Sequence, residues 1–153
     1  MNDTLAIGSP LPSLTLKNQD DKPEILDQYL GKPLVVYFYP KDETPGCTAE
    51  ACSFRDRYED FEAAGANVVG ISSDSVQSHQ KFIKKHRLNF TLLSDPQQVA
   101  AKAFKVKRRL FGLLPGRETF VFDKEGKLCF KFSSSVMINQ HISEALKAIK
   151  EFK

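Results

Sequence analysis

Leu34-Val35-Val36-Tyr37-Phe38-Tyr39 runs directly into Pro40-Lys41-Asp42-Glu43-Thr44-Pro45-Gly46-Cys47. The first six residues form an unbroken apolar run rich in β-branched and aromatic side chains, the pattern of a strand covered on both faces. Pro40 stops that strand, and the loop from Lys41 to Gly46 leads into a predicted long helix from about Thr48 to Ala64. Ala51, Phe54, Tyr58 and Phe61 recur there at helical spacing, with Gly65 at the end. A buried strand, a Pro- and Gly-containing loop and an amphipathic helix make the first half of a strand–helix–strand unit, which Asn67-Val68-Val69-Gly70-Ile71-Ser72 completes as a second buried strand.

The same alternation continues on either side. Upstream, Gly8-Ser9-Pro10-Leu11-Pro12 is an irregular opening, Leu14 and Leu16 alternate like a short strand, and Asp20-Asp21-Lys22-Pro23 is a turn. Pro23 to Leu26 fits a short helix ended by Gly31. Downstream, Asp74 or Ser75 caps a helix carrying Val76, Phe82 and Ile83; Phe90 to Ser94 is a strand, and Pro96 to about Phe104 a helix. After a basic loop, Thr119–Phe122 and Leu128–Phe132 flank Asp123-Lys124-Glu125-Gly126 as a hairpin. Ile142, Ala145, Leu146, Ile149 and Phe152 mark a last amphipathic helix. The expected fold is α/β, a central mixed sheet with helices on both faces.

Composition bounds the function. The 153 residues are 41% apolar and 27% charged, enough for one domain with a sizeable core and unlike a disordered chain. A net charge of +3 is too slight to imply a polyanionic partner. No apolar run is long enough to span a membrane, and Met1-Asn2-Asp3-Thr4 lacks the basic-then-apolar pattern of a signal peptide. Three cysteines are an odd number for a disulfide-stapled secreted domain. The expectation is an intracellular protein whose thiols have a chemical task.

Cys47 stands where the loop hands over to the helix. Unpaired N–H groups and the positive end of the macrodipole favour a thiolate at such a position. Thr44, three residues earlier, can place a hydroxyl beside the sulfur. Cys52 lies off the apolar stripe, among Arg55, Asp56 and Glu59, so it is not a core-packing cysteine, and two thiols this close suggest a redox pair. In an intact helix their Cα atoms would lie roughly 8–9 Å apart, beyond the ~4.4–6.8 Å of a disulfide. A bond between them requires the first helical turn to unwind. Cys129, between Leu128 and Phe130, is a bystander thiol. His79, His86 and His141 show no metal-ligand spacing, and no metal or cofactor is expected.

Pro40-x-x-x-Thr44-x-x-Cys47 after a buried strand resembles the active-site signature of the peroxiredoxins. Cys52 is similar to the resolving position of their Q-type branch, the bacterioferritin comigratory proteins. The resemblance covers nearly the whole chain, and Leu110 to Arg117 looks like the loop of cyanobacterial and plastid members. It implies a thioredoxin-like fold and a thiol peroxidase acting on hydrogen peroxide and organic hydroperoxides, with a Cys47 sulfenic acid and a Cys47–Cys52 disulfide restored by thioredoxin or a related dithiol protein. It further implies that Thr44 holds the peroxide, Pro40 shields the thiolate from water and Arg117 stabilises thiolate and transition state. Spacing alone does not separate Arg117 from Arg108 or Arg109. A monomer is expected, in the cytoplasm, or in a plastid if a transit peptide has been trimmed.

Two other classes compete. A general disulfide oxidoreductase on the same fold is disfavoured by the four-residue gap between the thiols. A non-enzymatic binding protein rests on Lys102, Lys105, Lys107, Arg108 and Arg109, a cluster that could touch nucleic acid but reads better as a solvated loop beside a helix end, and a peroxide-independent holdase role is a separate alternative. Neither a nucleic-acid nor a membrane partner is expected.

Overall fold

A computed structural model describes residues 5–109, 114–134 and 137–151. Among them, seven strands form a mixed sheet in the order β2-β1-β5-β4-β3-β8-β9: β1 Thr15–Asn18, β2 Pro23–Ile25, β3 Leu34–Phe38, β4 Asn67–Ser72, β5 Thr91–Ser94, β8 Glu118–Phe122 and β9 Leu128–Ser133. β3, β4 and β5 run parallel, joined by the crossovers α1 Pro45–Asp56 with α2 Tyr58–Ala63, and α3 Val76–His86. The outer pairs are antiparallel. A short α4, Val99–Ala103, precedes a two-residue ribbon, β6 Arg108–Arg109 with β7 Leu114–Pro115, and α5 Ile138–Glu151 closes the chain.

β3 is the axis of the molecule, and all five of its residues are buried. Successive side chains of a strand point to opposite faces, so the run divides in two. Val35, Tyr37 and Tyr39 join Cys47, Ala51 and Phe54 of α1, Phe61, Phe82 and the α5 residues Ile142, Ala145, Leu146 and Ile149. Leu34, Val36 and Phe38 join Ile71, Leu93, Ala100, Ala101, Phe104, Phe120 and Phe122 on the other face. Helices therefore cover both faces, as expected, with α4 and the helical residue Leu26 contributing to the second core. Gly70 on β4 leaves room for a ring: a Cβ there would lie 2.8 Å from Tyr37 Cζ and 2.7 Å from Leu92 Cδ2.

Three elements differ from the sequence reading. Pro23–Ile25 is a strand rather than the start of a helix, because it pairs with β1 across the turn; the helical residues begin only at Leu26, as a 3-10 turn to Tyr29. The long helix begins earlier, with Pro45 at its first position, and is interrupted at Arg57, so that it becomes α1 and α2. The helix placed over Pro96 to Phe104 is confined to α4, since Gln98 adopts a left-handed backbone with φ 56° immediately before it. Leu110 to Leu113 of the loop, and Phe152, lie outside the described residues.

Candidate active site

The site assembles at the C-terminal end of β3. Antiparallel pairing sets Phe38 opposite Glu118, so Arg117, one residue before β8, stands beside the chain as it leaves β3 towards the loop. Cys47 is the third residue of α1 and only 1% exposed. With Pro45 at the first position, Gly46 and Cys47 carry the first N–H groups of the helix, which have no acceptor within it. Thr44 is the N-cap residue, yet its side chain makes no capping bond; the hydroxyl donates to the Lys41 carbonyl at 2.9 Å. Its proton is thereby committed, and its lone pairs remain able to accept.

Arg117 is 7% exposed. Its Nη2 lies 3.4 Å from Cys47 Sγ, and its Nη1 donates to Glu50 Oε1 at 2.6 Å. Gly46 makes this approach possible, because a Cβ there would come within 3.0 Å of Nη2. Glu50 is wholly buried one turn along from Cys47, on the same face of α1. Burial pushes its carboxyl up to about 7, although Arg117 pulls the other way. Burial by itself would lower Arg117; the charges of Glu50 and Cys47 and the bonds to both hold its guanidinium above the ordinary value. Nε of Arg117 is buried with no partner among the described residues.

Behind Glu50 sits His141 of α5, its Nδ1 3.7 Å from Glu50 Oε2. Its Nε2 faces the Ser134 carbonyl at 2.7 Å, an acceptor only, so Nε2 carries the proton and Nδ1 accepts from the Thr119 hydroxyl at 2.7 Å. Burial holds the imidazole below its usual range, the Arg117 charge adds to this, and the Ser134 bond opposes it. The ring that faces Glu50 is accordingly neutral.

Of the residues the sequence singles out, the structure brings Arg117 to the Cys47 sulfur; Thr44 is the N-cap of the helix that carries Cys47, and Pro40 follows β3 where Phe38 pairs with Glu118. Cys52, the eighth residue of α1, is partly exposed, and Cys47, Cys52 and Cys129 are all free thiols. Cys129 lies elsewhere, at an irregularity between β8 and β9 where Val121 pairs with Phe130 and Phe122 with Leu128. Its thiol donates to the Val121 carbonyl at 3.3 Å, and burial and then Asp123 push it up to about 11. Among the described residues no group of three or more His, Cys, Asp or Glu could hold a metal ion.

Sequence reasoning missed Glu50, although one signal was there: a carboxylate on the apolar face of a helix between Cys47, Ala51 and Phe54. The sequence offers His79 only as a metal-ligand candidate; it is fully buried and lies 2.7 Å from Asp42. Nothing in the spacing of those two residues announces the pair.

A thioredoxin-like sheet that carries a buried thiol at a helix start, with a guanidinium directed at the sulfur, defines the class of thiol-dependent peroxidases. The AhpC/TSA family profile matches residues 7–131. A curated relative, chloroplastic peroxiredoxin Q of Sedum lineare, is 52% identical over 146 residues, covering 95% of this chain and 78% of that protein. Among solved structures, peroxidoxin BcpB of Mycobacterium tuberculosis superposes with a TM-score of 0.89 at 38% identity, covering 96% of this chain and 97% of that one. The bacterioferritin comigratory protein of Xanthomonas campestris, described with alkyl peroxide reduction activity, gives a TM-score of 0.83 at 34% identity, over 92% and 96% of the two chains. The chain belongs to the AhpC/TSA family, in its peroxiredoxin Q branch, and is a thiol-dependent peroxidase.

Proposed function

We propose that Cys47 is the thiol that reduces the peroxide and Cys52 the thiol that resolves it. The observation that carries this reading is the Arg117 Nη2 contact to a Cys47 sulfur buried in the first turn of α1. The Cys47 thiolate attacks the terminal oxygen of a hydroperoxide. The O–O bond breaks, sulfur gains the hydroxyl as a sulfenic acid, and the leaving oxygen takes up from solvent the proton that the thiol gave up on ionising, departing as water or an alcohol. Thr44 accepts the terminal O–H, which aligns that oxygen with the sulfur. Arg117 and the N–H groups of Gly46 and Cys47 oppose the negative charge that passes from sulfur to the leaving oxygen. Pro40 covers the thiolate against water.

Cys52 then displaces water from the sulfenic acid, giving the Cys47–Cys52 disulfide, and a dithiol protein such as thioredoxin restores both thiols while becoming oxidised itself. An intramolecular pair needs no second subunit, which favours a working monomer of one domain. Organic hydroperoxides join hydrogen peroxide as substrates, in keeping with the alkyl peroxide activity named for the Xanthomonas campestris protein. Of the two compartments considered, the plastid is favoured over the cytoplasm by the chloroplastic relatives.

The test is peroxide consumption coupled to thioredoxin and its reductase. Cys47→Ser is expected to abolish turnover, and Cys52→Ser to reduce one equivalent of peroxide and then stall. Sustained thioredoxin-dependent cycling by the Cys52 variant would remove Cys52 from the role.

A further inference from the structure

Behind the loop that carries Thr44 lies a buried ionisable cluster that none of these roles uses. The side chains of Asp42 and His79 are 1% and 0% exposed. Asp42 Oδ1 accepts from the Tyr39 hydroxyl at 2.6 Å, while Oδ2 accepts from the Ser78 hydroxyl at 2.8 Å and lies 2.7 Å from His79 Nδ1. The Asp42 N–H donates to Asp74 Oδ2 at 2.7 Å. On the far side of the ring, Nε2 is 3.1 Å from the Leu93 carbonyl. A carbonyl only accepts, so Nε2 carries a proton, and a second proton lies between Nδ1 and Oδ2. The pair is neutral in sum, and every polar atom of it is satisfied.

Such a pair adds little stability over apolar packing of the same volume. What it does add is registration, and the elements it joins are informative. Asp42 lies two residues before Thr44 and five before Cys47; Tyr39 adjoins Pro40; Ser78 and His79 belong to α3; Leu93 belongs to β5. Between Asp42 and Thr44, Glu43 holds a left-handed backbone with φ 65°, which a non-glycine residue keeps only when its surroundings impose it. Its carboxylate is tied to α3 as well, with Oε1 2.9 Å from His86 Nε2 and Oε2 3.6 Å from Lys85 Nζ.

We infer that Asp42 and His79 are positioning residues for the peroxide reaction. They fasten the loop from Lys41 to Thr44 to α3, so that the Thr44 oxygen and the N–H groups of Gly46 and Cys47 face one point. They also keep that side of the site in place when the first turn of α1 rearranges. This inference rests on Cys47 being the peroxide-reactive thiol.

The experiment compares two reactions of the fully reduced protein, single-turnover oxidation of Cys47 by hydrogen peroxide and alkylation of Cys47 by iodoacetamide, which needs the sulfur but no docked peroxide. Asp42→Ala is expected to slow the peroxide reaction by about 10- to 100-fold, the cost of misplacing a reacting group by about an ångström, with alkylation unchanged or faster. Asp42→Asn, whose amide can accept from Tyr39 and donate to a neutral His79 ring, is expected to restore the peroxide rate to within about fivefold. If Asp42→Ala does not fold, the Tyr39→Phe/Ser78→Ala double variant, which removes two donors from the carboxylate, is expected to lose about fivefold in the peroxide reaction alone. A folded variant with a peroxide rate within about twofold of the parent, or with both reactions slowed in parallel, overturns the inference. Failure of the unaltered protein to react with peroxide overturns the assignment of Cys47 instead.

Discussion

Glu50 shows how much one side chain can set in this site. It is fully buried, bonded to Arg117 through one oxygen, and faces a neutral His141 with the other. Because burial raises its folded-state pKa, the folded protein holds a proton there that the unfolded chain has released. Stability from this group is therefore complete below the ordinary carboxylate value of 4.5 and is lost as pH rises through about 7. Urea unfolding of the parent and Glu50→Gln across pH 4.5 to 8 is expected to show the variant gaining on the parent up to about pH 7, with a constant difference above it. A difference independent of pH would mean that Glu50 stays ionised throughout. Cys47, Thr44 and Cys52 were legible in the sequence because a helix start and a stripe are local patterns. Arg117 was not legible from spacing, since it lies seventy residues from Cys47 and reaches the sulfur only because β8 pairs with β3.

At the scale of elements, α1 carries the conflict that the proposed Cys47–Cys52 disulfide has to resolve. Both thiols sit in one continuous helix, Pro45–Asp56, in a register that serves the core through Ala51 and Phe54. Helical spacing keeps the two Cα atoms roughly 8–9 Å apart, too far for a disulfide. The break at Arg57 separates α1 from α2, so loss of the first turn need not propagate into the packing of Phe61. Amide exchange of the reduced and peroxide-oxidised protein is expected to show lost protection over the first two turns of α1, with α2 and α3 unchanged. Equal protection in both states would contradict an intramolecular Cys47–Cys52 bond. The break itself was invisible to the periodicity, because Tyr58 and Phe61 continue the apolar spacing across it. Conversely, Pro23–Ile25 reads locally as a helix start, and only its partner β1 makes it a strand.

For the molecule as a whole, the two cores on either side of β3 explain why the alternation of strands and helices sufficed to read the fold. An apolar strand buried on both faces demands cover on both. Phe54 is 0% exposed and stacks on Tyr37 with ring centroids 4.5 Å apart, so it joins the site helix to the sheet. Phe54→Ala is expected to cost about 3–5 kcal/mol in urea unfolding, against less than about 0.5 kcal/mol for Val99→Ala on the surface of α4. Similar costs for the two would show that the core on the Tyr37 face is not what holds α1 in place.

The roles of Cys47 and Cys52 are read out together by mass spectrometry of the reduced protein, intact and digested, before and after one equivalent of hydrogen peroxide. The expected result is the loss of two hydrogens, mapped to a bridge between Cys47 and Cys52, with Cys129 still free. Three free thiols after treatment would contradict the peroxide site, and a bridge through Cys129 would contradict the choice of resolving thiol.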